Sequence, residues 1–129
     1  MNSVRLELSK NVVAPGDEIT HTIVNDGAAA LLFGVDYGIE ERTADGWRPL
    51  NIAMAFAAVG LSVSPGQSSS PIGTHIPRGL RPGKYRLTKS LRALSSDGVP
   101  VPKAVGEIII RREFVVGTRE DSGQVTDRR

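Results

Sequence analysis

The chain contains no cysteine, so no disulfide staples it and no thiol chemistry is available to it. That absence fits any compartment and excludes only a disulfide-dependent scaffold. Aromatic residues are scarce as well, with one Trp, two Tyr and three Phe in 129 residues. Most of the core is therefore left to Val, Ile, Leu and Ala. Histidine is limited to His21 and His75, far apart in sequence. Two such residues do not make a metal site, and no Asp-x-Asp run gathers the oxygens that calcium requires. Long hydrophobic runs are missing too. The longest weakly polar stretch, Ile52 to Val63, is too short and too rich in Ala and Gly to span a bilayer, so no membrane insertion is expected. No charged start leads into an apolar run, so no signal peptide is visible. The compartment stays open between the cytoplasm and a trimmed domain of an exported protein.

A charge excess is also absent. Lys and Arg number 16 against 14 Asp and Glu, for a net charge of +2. Nucleic-acid binding would need the cations gathered on one face. Arg78, Arg81, Lys84, Arg86, Lys89 and Arg92 do cluster in sequence. They read as a solvated strand face flanked by turns, or alternatively as a polyanion site. No nucleic-acid partner is expected.

What the chain has in abundance is turn chemistry. Pro-Gly occurs at Pro15-Gly16, Pro65-Gly66 and Pro82-Gly83, and Asp-Gly at Asp26-Gly27, Asp45-Gly46 and Asp97-Gly98. Short β-branched runs lie between these marks. Proline presets φ for the first turn position and glycine accepts a positive φ at the next, so each pair is expected to reverse the chain. The length fits one domain, residues 1–116, followed by a polar tail, 117–129, too poor in apolar residues to order itself.

Alternation predicts strands over Val4 to Leu8 and Glu18 to Asn25, the latter ended by Asn25-Asp26-Gly27 in left-handed-tolerant residues. Leu31 to Arg42 reads as one long strand with Phe33, Val35, Tyr37 and Ile39 on a shared face. Thr43 to Gly46 turns it into a short return strand carrying Trp47. Asn51 to Ala58 is ambiguous, because alternation of Ile52, Met54 and Phe56 competes with alanines that favour helix. It is expected to be a loop or one helical turn that buries Phe56. Further strands are expected at Leu61 to Val63, Gln67 to Ile72, Tyr85 to Leu91 and Glu107 to Val116. A connection through Gly73, His75 and Pro77 leads to Pro82-Gly83. The expected core is Leu6, Leu8, Ile19, Ile23, Val35, Tyr37, Ile39, Trp47, Leu61, Tyr85, Leu87, Ile108, Ile110 and Phe114. The fold class is all-β, an antiparallel sandwich of seven to nine strands.

The search for catalytic chemistry finds no candidate residues. Gly60-Leu61-Ser62-Val63-Ser64 lacks the glycine that completes a nucleophile elbow, and no helix is predicted after it. Asp36, Glu40 and Glu41 crowd one strand but read as a solvated face. The expectation is a non-enzyme without cofactor or metal. Recognition is better served by Ala93 to Gly106, too long for a minimal hairpin. Within it Val99, Pro100, Val101, Pro102 and Lys103 form a stiff, apolar candidate contact for another protein. A plain hairpin connection is the competing reading.

Thr22-Ile23-Val24-Asn25, Phe33 to Glu41, Asp45-Gly46-Trp47, Ser64-Pro65-Gly66 and Leu80 to Arg86 together resemble a bacterial immunoglobulin-like domain family over roughly residues 4–92. The resemblance implies an immunoglobulin-like sandwich. It also implies a structural corner at Pro82, Gly83 and Tyr85, where the tyrosine hydroxyl ties back to nearby backbone. A related pattern occurs in bacterial intracellular proteinase inhibitors. Neither family supplies catalytic residues. The resulting expectation is a non-catalytic protein-binding or accessory module, with proteinase inhibition through the 93–106 loop, or polyanion binding through residues 78–92, as alternatives.

Overall fold

The computed structural model describes residues 3–52, 56, 58–95, 97–102 and 106–117. These carry eleven strands: β1 (Val4–Leu8), β2 (Val12–Val13), β3 (Glu18–Asn25), β4 (Leu31–Phe33), β5 (Gly38–Thr43), β6 (Gly46–Pro49), β7 (Leu61–Val63), β8 (Gln67–Ser68), β9 (Ile72–His75), β10 (Gly83–Ala93) and β11 (Glu107–Val116). Two of them, β2 and β8, are two residues long. One sheet holds β1, β3, β8 and β9; the other holds β2, β11, β10, β4, β7, β5 and β6. Inward-facing residues of the two sheets interdigitate as the core of an immunoglobulin-like β-sandwich.

The sheets are antiparallel apart from one short pairing. β2 runs parallel to the end of β11, with Val12 beside Val115 and Val13 beside Val116. β1 and β2, five and two residues long, thus belong to different sheets and strap the N-terminal segment to both.

Alternation explains most strand faces. β3 shows Ile19, His21, Ile23 and Asn25 buried, with the residues between them more open. β10 buries Tyr85, Leu87, Lys89 and Leu91 in the same way. Ile110, Phe114 and Val116 of β11 point inward, with Ile108 partly buried beside them.

Several sequence expectations are corrected. The segment from Leu31 to Arg42 is two strands, interrupted from Gly34 to Tyr37. The carbonyls of Gly34 and Asp36 there accept bonds from Lys89 Nζ instead of completing a ladder. Gln67 to Ile72 is also broken, and Ile72 to His75 is a strand paired with β3, not a connection. Trp47 is not in the core. It lies on the outer sheet face with the Arg86 guanidinium 4.4 Å from its ring centre. Phe56 is exposed, packing edge-to-face on Tyr37 at 5.1 Å, while its neighbours 53–55 and 57 lie outside the described residues. The 117–129 tail lies outside them too, apart from Gly117.

Gly16 and Gly66 have the left-handed φ values, +89° and +79°, that Pro-Gly turns require. Gly83 also has a positive φ, +156°, which favours glycine, but it is already the first residue of β10, and the chain bends at Pro82 as it enters that strand. Gly27 has no positive φ. β3 ends instead on the Asn25 side chain, whose Oδ1 accepts from Gly27 N–H and whose Nδ2 donates to the Ala29 and Val63 carbonyls.

Candidate functional site

The described residues of the 93–106 connection are more regular than its length suggests. The β10 hairpin continues past Ala93: Val101 N–H donates to the Ala93 carbonyl, and Leu94 pairs with Pro100 in an antiparallel bridge. At the tip, Ser95 N–H donates to the Val99 carbonyl and Gly98 N–H to the Ser95 carbonyl. Gly98 takes a φ of +79°, which that tight turn demands. Leu94 N–H also donates to the Ala30 carbonyl, anchoring the base beside β4. On this frame Val99 is 58 % exposed, Pro100 and Pro102 are exposed, and Val101 is half-buried. Lys103 lies outside the described residues, as do 104 and 105.

Val101 is held from its other side as well. A Cβ added to Gly106 would stand 2.8 Å from Val101 Cβ and Cγ1, so the close approach of the two segments requires glycine. Below the loop a cleft of about 340 Å³ opens along β10, lined among others by Phe33, Asp36, Ser90, Arg92 and Glu107.

At the opposite end of β10, Tyr85 is buried and its hydroxyl donates to the Arg81 carbonyl at 2.7 Å. Its ring stacks on Phe114, with centroids 5.8 Å apart. Glu41 sits next to it on the inward register of β5. One carboxylate oxygen accepts from Arg48 at 2.7 Å and the other from Arg81 at 3.0 Å. These bonds, Arg81 first, hold the Glu41 carboxyl below the usual carboxylate range. Glu41 is therefore a largely buried carboxylate shared by two arginines, which corrects the solvated-face reading for this residue.

Two further buried groups lie between the sheets. Lys89 Nζ donates to the Gly34 and Asp36 carbonyls, both at 2.6 Å, and burial pushes its pKa down to about 8. The Thr74 hydroxyl donates to the Ile72 carbonyl, so it accepts from His21 Nδ1–H at 2.7 Å. His21 Nε2 is then a bare acceptor, buried without a partner. Burial first, and the Lys89 charge second, push His21 down to about 3.

The basic cluster of the sequence does not form one surface. Lys89 is inside, Arg81 serves Glu41, and Arg86 pairs with Glu40 across β10 and β5. His21 and His75 also have separate roles, since His75 pairs with Glu18 on the rim. Among the described residues no three His, Asp or Glu side chains converge as a metal site, and no helix is long and apolar enough to cross a membrane. The buried roles of Lys89, His21 and Asn25 escaped the sequence reading. Their signal was available, because each occupies an inward position of an alternating strand.

A family model described as a bacterial Ig-like domain matches residues 1–103. No curated protein matches the chain. Among solved structures, the chain is similar to the Pseudomonas fluorescens alkylpurine DNA glycosylase AlkC bound to DNA containing an abasic site analog. That match has 18 % identity and a TM-score of 0.42, covering 91 % of this chain and 31 % of the other. The sporulation control protein Spo0M of Bacillus subtilis gives 11 % identity and a TM-score of 0.44, with 92 % and 50 % covered. PapD-like domain 7 of human CEP192 gives 12 % and 0.40, with 88 % and 84 % covered. The chain thus spans a third to a half of the first two proteins, and at these scores none of the three informs its function.

Proposed function

From the premise that the chain belongs to the bacterial Ig-like domain family, we propose that it is a non-catalytic module that binds another protein through the loop end around Val99 to Lys103. The observation that carries this is the exposed Val99 at the tip of a connection fixed by backbone hydrogen bonds on both sides. Pro100 and Pro102 flank Val101 and add stiffness. An apolar contact on a pre-ordered loop loses little conformational entropy on binding, so a modest area supports useful affinity. The fold itself does not choose a partner, since sandwiches of this kind host unrelated functions.

The test is capture of partners from the source organism by the parent and by a variant with Val99 to Lys103 replaced with Gly-Ser. The variant should lose partners that the parent retains. Equal capture by both would sink the loop assignment. The same pair of proteins, titrated against serine proteases, decides the inhibitor alternative: stoichiometric inhibition by the parent alone would favour it. A polyanion reading has weaker support, because Lys89 is buried and Arg81 and Arg86 are already paired with carboxylates.

A further inference from the structure

β11 closes one side of the larger sheet, and most of its outer edge carries no ladder. On one side it pairs with β10 from Glu107 to Val116. On the other, only Val115 and Val116 have a strand partner, β2. The bonds there run from Val115 N–H to the Asn11 carbonyl and from Gly117 N–H to the Val13 carbonyl. Alternate residues of a strand direct their backbone groups to the same side, so the odd-numbered residues of β11 face away from β10. Among the described residues, the backbone groups of Glu107, Ile109, Arg111 and Glu113 have no partner on that side. Their side chains share the outer face, where Ile109 is 46 % exposed. An apolar residue on an unpaired edge is a template for another strand.

We propose that this edge pairs with the same edge of a second copy of the chain, antiparallel about a two-fold axis at Ile109, so that two sheets become one. The charge pattern selects both the occupant and the register. Centring on Ile109 sets Glu107 opposite the partner's Arg111, and by symmetry Arg111 opposite the partner's Glu107. Centring on Ile110 would set Glu107 against the partner's Glu113, and centring on Arg111 would set two arginines together. Like charges directly opposite are destabilising, so of these three registers only the first is matched. It also places Ile109 against the partner's Ile109. Arg112, an inward-register charge of the kind that blunts sheet edges, falls opposite the partner's Gly106. In each matched pair the free N–H and C=O groups exchange two hydrogen bonds. An isologous contact of this kind needs one surface to complement itself, and Glu-x-Ile-x-Arg does so.

Sedimentation velocity on the full chain across a wide concentration range should show a monomer–dimer equilibrium. Arg111→Glu alone, or Glu107→Arg alone, should weaken it by about tenfold or more, since each opposes like charges at both ends of the contact. The double variant Glu107→Arg/Arg111→Glu should regain the dimer, and mixing the two single variants should give heterodimers. Far-UV circular dichroism establishes that each variant is folded. Should a charge variant fail to fold, Ile109→Lys, on the solvent face, replaces it with a like-charge pair at the axis. A parent that stays monomeric at every concentration overturns the proposal. So does a dimer indifferent to these reversals, or one disrupted only by changes at Val99 to Pro102.

Discussion

Tyr85, His21 and Lys89 show what a single inward position decides in this molecule. Tyr85→Phe keeps the stacked ring but removes the bond to the Arg81 carbonyl, and should cost about 1 kcal/mol or somewhat more in urea unfolding. Tyr85→Ala opens a cavity and should cost about 3–5 kcal/mol. Both variants melting like the parent would refute a structural role. His21 makes stability depend on acid. Its folded pKa lies near 3 against an ordinary 6.5, so between these values the unfolded chain binds more protons. Stability therefore falls as pH is lowered through that window, at up to about 1.4 kcal/mol per pH unit. Glu41 adds a loss of the same sign only below its ordinary value of 4.5. Denaturant melts between pH 6.5 and 4.5 should thus show a slope that His21→Gln flattens; an unchanged slope would exonerate the histidine. These residues were legible in part. Ile19-x-His21-x-Ile23 and Leu87-x-Lys89-x-Leu91 place polar side chains squarely in the inward register. What sequence could not supply is the partner, because the Thr74 hydroxyl and the Gly34 and Asp36 carbonyls arrive from distant segments.

Among the elements, the long strands were the easiest to foresee. β1, β3 and β11 coincide with their alternating runs, since period-two patterning and β-branched content act together there. In sequence β4 and β5 read as one strand, because Phe33, Val35, Tyr37 and Ile39 keep their alternation across the break. Burial alone maintains that pattern, whereas the ladder is interrupted by an ammonium drawing on the backbone carbonyls. The Pro82-Gly83 pair combines two roles: the chain bends at Pro82, and Gly83, at a positive φ, starts β10 directly. The 93–106 loop looked unstructured since proline hides hairpin continuation, yet Pro100 needs no N–H to accept its place opposite Leu94. Gly106 tests this element. Gly106→Ala drives a methyl into Val101, whose own N–H is committed to Ala93, and should cost about 1–3 kcal/mol. Faster amide exchange at Val101 is the expected local sign, and unaltered protection would show that the contact yields.

At the scale of the whole molecule, two sheets are held together by more than their apolar faces. Asn25 reaches from β3 to the Val63 carbonyl on β7, so separation of the sheets would strand a buried amide. Asn25→Ala should therefore lower the melting temperature without altering the β-type circular dichroism of the native state, and a variant as stable as the parent would count against the cross-sheet tie. The sandwich as a class was legible from turn spacing, but the strap formed by β1 and β2 was not, because a two-residue strand leaves no periodicity to read. That strap has a mechanical meaning. β2 lies parallel to the end of β11, so a pull that draws the chain before β2 one way and the chain after β11 the other slides the two strands along each other. The bonds from Val115 to Asn11 and from Gly117 to Val13 are then loaded side by side in shear, and must break together instead of unzipping in turn. Extension of a single molecule should accordingly meet one abrupt rupture before the sandwich opens, and a gradual yield would mean that the force enters elsewhere.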